Sequence, residues 1–109
     1  MVFSPVEQHI LTIQTDPTVI AWETWDAIAE AWAHTPFNTE AYEHLGGAWE
    51  AATRQLADTV PTSAAGIKRH LERLECFITA GPMTEDGMNL AARHLASLQA
   101  GVLGPRNVA

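Results

Sequence analysis

Five histidines and thirteen carboxylates are the first candidates for chemistry in this 109-residue chain. Glu30 and His34 stand four apart, as do Glu40 and His44, so on a helix each pair shares one face and could offer a carboxylate and an imidazole to a divalent ion. Carboxylate-bridged di-metal bundles draw Glu-x-x-His from two helices together with two further glutamates. That spacing does not occur here. Glu40-Ala41-Tyr42-Glu43-His44 carries glutamate where the inverted zinc motif has its first histidine. These residues therefore read as acids beside surface histidines, with no metal site and no cofactor.

Nucleophilic chemistry is equally thin. Cys76, the single cysteine, lies between Leu74 and Ile78 with no basic partner at helical spacing to activate it, so it reads as a partly packed, inert thiol. His70 and Glu72 are two apart and do not face each other on a helix. A glycine-rich phosphate loop, a Gly-x-Ser-x-Gly elbow and a dinucleotide fingerprint are all missing. No catalytic residue is named, and the chain reads as a non-enzyme. One cysteine also excludes an internal disulfide and a thiolate zinc cage, which points to a reducing cytoplasmic setting. No apolar run reaches the ~18–20 residues of a membrane span. The first residues lack the basic start and apolar stretch of a secretory signal.

Charge is divided between the halves. Residues 1–53 hold eight carboxylates (Glu7, Asp16, Glu23, Asp26, Glu30, Glu40, Glu43, Glu50) and no Lys or Arg, whereas all six basic side chains follow. The overall net charge is −7. Such a field repels phosphate backbones and attracts basic partners, most strongly at low salt.

The elements that must position these groups are helical. Apolar residues recur every three or four places, and no stretch alternates as a strand would. Ser4-Pro5-Val6-Glu7 is a cap, a first-position proline and a capping-box acid, opening a short helix with Val6, Ile10 and Ile13 on one face. Asp16-Pro17 opens a second helix that runs to about His34, with Trp22, Trp25, Ile28, Ala29 and Trp32 inward, before Pro36 stops it. Asn38 or Thr39 caps a third, whose series Tyr42, Leu45, Trp49, Ala52, Leu56 has the spacing of a helix–helix seam. Within it, Gly46-Gly47 predicts either a close crossing by another element or a hinge. Thr62 or Ser63 caps a fourth helix with Ile67, Leu71, Leu74 and Ile78 inside, ended by Gly81-Pro82. Thr84 caps a fifth with Met88, Ala91, Leu95 and Leu98 inside, ended by Gly101. The expectation is an all-α, up-and-down bundle of four to five helices, a single domain over residues 1–103, with a frayed tail over 104–109.

The segment Leu56–Glu75 admits two resemblances. Its spacing looks like a bacterial helix-turn-helix, in which Ser63 starts the recognition helix, Ile67 and Leu71 are buried, and Lys68, Arg69, His70 and Arg73 reach DNA. Pro61 stands where that family usually bends on glycine. Groove binding also rests on a net basic surface, which this chain lacks. The run Pro61-Thr62-Ser63-Ala64-Ala65-Gly66-Ile67-Lys68-Arg69-His70-Leu71 also resembles a segment of small uncharacterised helical proteins from bacterial and prophage genomes, which carry a Pro-x-Thr/Ser-x-Ala-Gly segment after a Trp- and acid-rich half. That resemblance implies an all-helical fold and a mobile-element setting, and it transfers no activity. From the residues themselves, Ser63 caps the helix, and Ala64, Ala65 and Gly66 let another element approach its first turn closely.

The sequence therefore reads first as a helical interaction protein. Glu23, Asp26, Glu30, Glu40, Glu43 and Glu50 would meet a basic protein surface, with Trp22 or Trp25 as apolar anchor. A phage-type inhibitor of a nucleic-acid-binding system is one version, and a second copy of the chain is another partner. The alternative is a DNA-binding regulator using Lys68, Arg69 and Arg73.

Overall fold

Each helix begins on a polar residue that satisfies its free N–H groups. The computed structural model describes residues 15–81 and 84–103. It contains α1 (Pro17–Ala33), α2 (Glu40–Asp58), α3 (Ala64–Thr79) and α4 (Glu85–Leu103), and no strand among the described residues. Asp16 caps α1 by accepting from Thr18 N at 2.8 Å, with Pro17 at the first helical position. Thr39, rather than Asn38, caps α2 by accepting from Tyr42 N at 3.1 Å. Asn38 takes the left-handed backbone (φ 64°) that turns the chain into it, a conformation asparagine tolerates better than most residues. Ser63 caps α3 and Thr84 accepts from Gly87 N at 3.1 Å at the start of α4. The short helix expected around Val6, Ile10 and Ile13 and the tail 104–109 lie outside the described residues.

The packing order differs from a simple up-and-down ring. α1 lies against α2 and α3, and α4 lies against the same two, so α1 and α4 are diagonal, as are α2 and α3. The link from Thr59 to Ser63 therefore crosses one end of the bundle instead of joining neighbours. Close approach makes that crossing fit. A Cβ on Gly101 would meet Pro61 Cγ at 2.7 Å and Pro61 O at 2.8 Å. Gly101 thus admits the link against α4, which continues through it to Leu103 rather than ending there.

The interior is polar to an unusual degree. Among the described residues, Leu56, Ala57, Ala21, Ala52, Leu98 and Pro61 are buried apolar side chains, whereas Asp16, Thr18, Thr53, His70, His94 and Ser97 are buried polar ones. This inverts part of the sequence-based expectation for α3 and α4. Leu71 and Ile78 on α3, and Met88 and Leu95 on α4, are exposed instead of inward. α3 turns Gly66 and His70 to the interior, and α4 turns His94, Ser97 and Leu98. Buried polar groups with satisfied partners outcompete an apolar stripe when the bundle is narrow and hydrogen-bond partners are already in place.

Two glycines have opposite roles. A Cβ on Gly66 would lie 2.8 Å from Asp16 Cγ, whereas one on Gly47 would meet nothing within 4 Å. Gly46 faces the Trp32 ring, at 3.2 Å from the would-be Cβ. The Gly46-Gly47 pair is therefore a close crossing by an indole on α1, and α2 runs through it. We expect Gly66→Ala to destabilise the fold by about 2–3 kcal/mol through overpacking and displacement of Asp16. Gly47→Ala should stabilise it by up to ~1 kcal/mol through helix propensity. Chemical denaturation of the two variants checks both signs.

Candidate functional site

Three helix ends converge on one buried polar junction. The Asp16 carboxylate accepts from Thr18 N through Oδ1, and through Oδ2 from Thr62 N at 3.1 Å and from the Ser63 hydroxyl at 2.5 Å. It thus caps α1 directly and steadies the cap of α3, where two helix N-termini present partial positive charge. The C-terminal end of α2 is satisfied here too. Thr59 O accepts from His70 Nε2 at 2.8 Å and from the Thr18 hydroxyl at 3.4 Å, and Ala57 O accepts from the Ser97 hydroxyl at 2.5 Å.

The two imidazoles complete the junction. His70 Nδ1 and His94 Nδ1 are 2.7 Å apart. Because His70 Nε2 must carry a proton to donate to Thr59 O, the network assigns the neutral Nε2–H form to His70, so that its Nδ1 accepts from His94 Nδ1–H. His94 Nε2 is then a bare, buried acceptor with no partner among the described residues. Burial lowers the pKa of His70 despite the opposing pull of its bond to Thr59 O and of Asp16. Burial, then the charges of His70 and Arg73, hold His94 down to about 4. Both rings are neutral at pH 7.

Beside the junction runs a line of mutually tilted, contacting rings on α1 and α2. Trp22 and Trp25 are 5.1 Å apart between centroids, Trp25 and Trp49 6.4 Å, Trp49 and Trp32 5.6 Å, and Trp32 and Tyr42 5.4 Å. Phe37 closes the row edge-on to Tyr42 at 5.4 Å and is 73% exposed in the connection between α1 and α2. The Trp25 indole donates to Thr53 Oγ1 at 3.0 Å. Arginines of α3 cover the near end of the row. Arg69 lies 4.5 Å over Trp22 while bonding Glu72, and Arg73 lies between Trp25 and Phe77 at 4.8 and 5.1 Å. Burial pulls the Arg73 guanidinium below its ordinary pKa. Stacking on ring faces offsets part of that cost.

The residues singled out from the sequence fall into separate groups. Glu23, Asp26 and Glu30 form one exposed line on α1, and Glu40, Glu43 and Glu50 form a second on α2. Glu30 approaches His34 at 3.8 Å, and none of the six pairs with a Lys or Arg among the described residues. Trp22 and Trp25 are half-buried under Arg69 and Arg73. Of the DNA-contact set, only Lys68 stands exposed, because Arg69 and Arg73 turn back onto α1. Glu50 lines a cleft of about 330 Å³ with Arg54, Arg73, Phe77, Asp86 and Arg93. There the Arg93–Asp58 bidentate pair ties α4 to α2 and holds the Asp58 carboxyl below its usual value. Cys76 is exposed. No group of three His, Cys, Asp or Glu among the described residues has metal-holding geometry, and no helix there is long and apolar enough to cross a membrane.

The junction itself was not assembled from the sequence. Asp16 and Ser63 were legible as separate caps, and nothing in their spacing shows that one carboxylate serves both. Comparison of the chain with protein-family models, curated proteins and solved structures gives no match.

The histidine pair sets a pH dependence with a definite sign. His94 ionises near 4 in the folded chain against an ordinary 6.5. Below pH ~6.5 the unfolded chain therefore binds a proton that the fold refuses, and stability drops as pH falls toward 4. The loss is on the order of 3 kcal/mol at full extent. Urea midpoints between pH 7.5 and 4.5 should decline. His94→Gln, whose amide can still donate to His70, should flatten the slope.

Proposed function

We propose that this chain is a non-enzymatic interaction protein whose α1–α2 hairpin presents carboxylates to a basic protein surface. One observation carries the reading: Glu23, Asp26, Glu30, Glu40, Glu43 and Glu50 have no Lys or Arg partner among the described residues, while the hairpin's connection carries an exposed aromatic ring. Glu30 near the end of α1, and Glu40 and Glu43 at the start of α2, bracket Phe37, which is 73% exposed. Unpaired carboxylates around an apolar anchor suit an electrostatically steered contact that is fast and salt-sensitive. Phe37 suits the anchor role better than Trp22 or Trp25, whose faces are engaged by arginines. A phage- or mobile-element-encoded inhibitor of a nucleic-acid-binding system, acting in the cytoplasm, is the specific form that the acidic half and the Pro61–Leu71 resemblance support. A DNA-binding regulator is less well supported, since Lys68 is the exposed cation of its would-be recognition helix.

Tagged protein used as bait in lysate at low salt should retain a basic partner that is released at high salt. Phe37→Ala, or Glu40→Gln with Glu43→Gln, should weaken the purified complex about tenfold or more. Retardation of mixed duplex DNA that Lys68→Ala abolishes would overturn the reading in favour of the regulator.

A further inference from the structure

We propose that the outward face of α4, with Leu71 and Ile78 of α3 beside it, is the contact between two copies of this chain, paired antiparallel about a two-fold axis at Leu95. This contact is separate from the acidic hairpin and does not depend on its role. The exposed apolar residues of α4 are Met88, Leu95, Val102 and Leu103, and the first three are seven apart, at 52%, 51% and 52% exposure. A seven-residue step keeps side chains in one line along a helix, the spacing of a seam between helices. The line is also symmetric about its centre. Reversing a second α4 over Leu95 sets Leu95 against its own counterpart and Met88 against Val102 on both sides, as an isologous contact requires.

The surroundings fit the same pairing. A groove of about 440 Å³ runs beside Val102, walled by Ile67, Leu71, Leu98 and Leu103, with Gln99 at its edge. The second copy's Met88, an unbranched side chain that adapts to irregular gaps, falls at this groove. The face carries no net charge that would draw an oppositely charged partner. Between Gly87 and Leu103 the only charged side chain of α4 is Arg93, and Asp58 neutralises it. α4 is diagonal to α1, so pairing through α4 keeps the acidic α1 lines of the two copies on the far sides of the assembly. Pairing through the acidic half would instead bring like charges together.

The seam from Met88 to Val102 is about 21 Å long. A seam of this length is short for a stable interface, so the dimer is weak and concentration-dependent.

Sedimentation velocity of the full chain over about 5–500 μM should show monomer giving way to dimer. Leu95→Glu, which sets two carboxylates against each other on the axis, should leave a monomer throughout with unchanged helical circular dichroism. Should that variant fail to fold, a cysteine pair reads the same geometry. Leu95→Cys in a Cys76→Ser background should form a disulfide-linked dimer under mild oxidation, and Ile20→Cys, exposed on α1, should not. A full chain that stays monomeric to the highest concentration overturns the proposal. A dimer that survives Leu95→Glu, or equal cross-linking through Ile20→Cys, overturns it as well.

Discussion

One carboxylate, that of Asp16, organises this bundle. It terminates α1, holds the Ser63 cap of α3, and excludes any side chain at position 66. The arrangement brings α1 and α3 side by side at their N-termini, an approach that two positive helix ends would otherwise oppose. With that corner set, α2 must finish nearby, and its last carbonyls need donors. His70, Thr18 and Ser97 provide them. The diagonal link through Pro61 follows from the same constraint, because the segment that leaves α2 has to bring Thr62 and Ser63 to Asp16.

The inward turn of His70 and His94 has a cost that shows on the opposite side of their helices. Rotating α3 and α4 to bring polar groups into the junction carries Leu71, Ile78, Met88 and Leu95 outward. The small apolar core and the apolar outer face are therefore two sides of one choice. The Arg73 guanidinium, wedged between Trp25 and Phe77, is a further instance: a cation fills the interior space that the missing leucines would have occupied.

Helix positions were legible because caps are local. Asp16-Pro17, Thr39, Ser63 and Thr84 each act on N–H groups two or three residues away, and the structure uses every one of them. Facing was less legible. On α1 and α2 the aromatic and apolar series point inward, because large rings dominate any packing they join. On α3 the series Ile67, Leu71, Leu74, Ile78 competes with Gly66 and His70, and the winner depends on Asp16 and Thr59, 50 and 11 positions from the residues they meet. Periodicity contains no information about such partners. The acidic lines were readable residue by residue, since exposed acids need no distant partner to be placed. The exposure of Phe37 was not, because a ring in a short connection can turn either way.

The row of rings has an optical consequence. All four indoles belong to α1 and α2, each within contact range of the next. Ultraviolet emission excited at the indole band, and any coupled dichroic bands of the row, therefore report almost wholly on one hairpin of the molecule. Melting of α3 and α4 alone would register only as the withdrawal of Arg69 and Arg73 from two of those rings, so a flat emission signal says little about the other half.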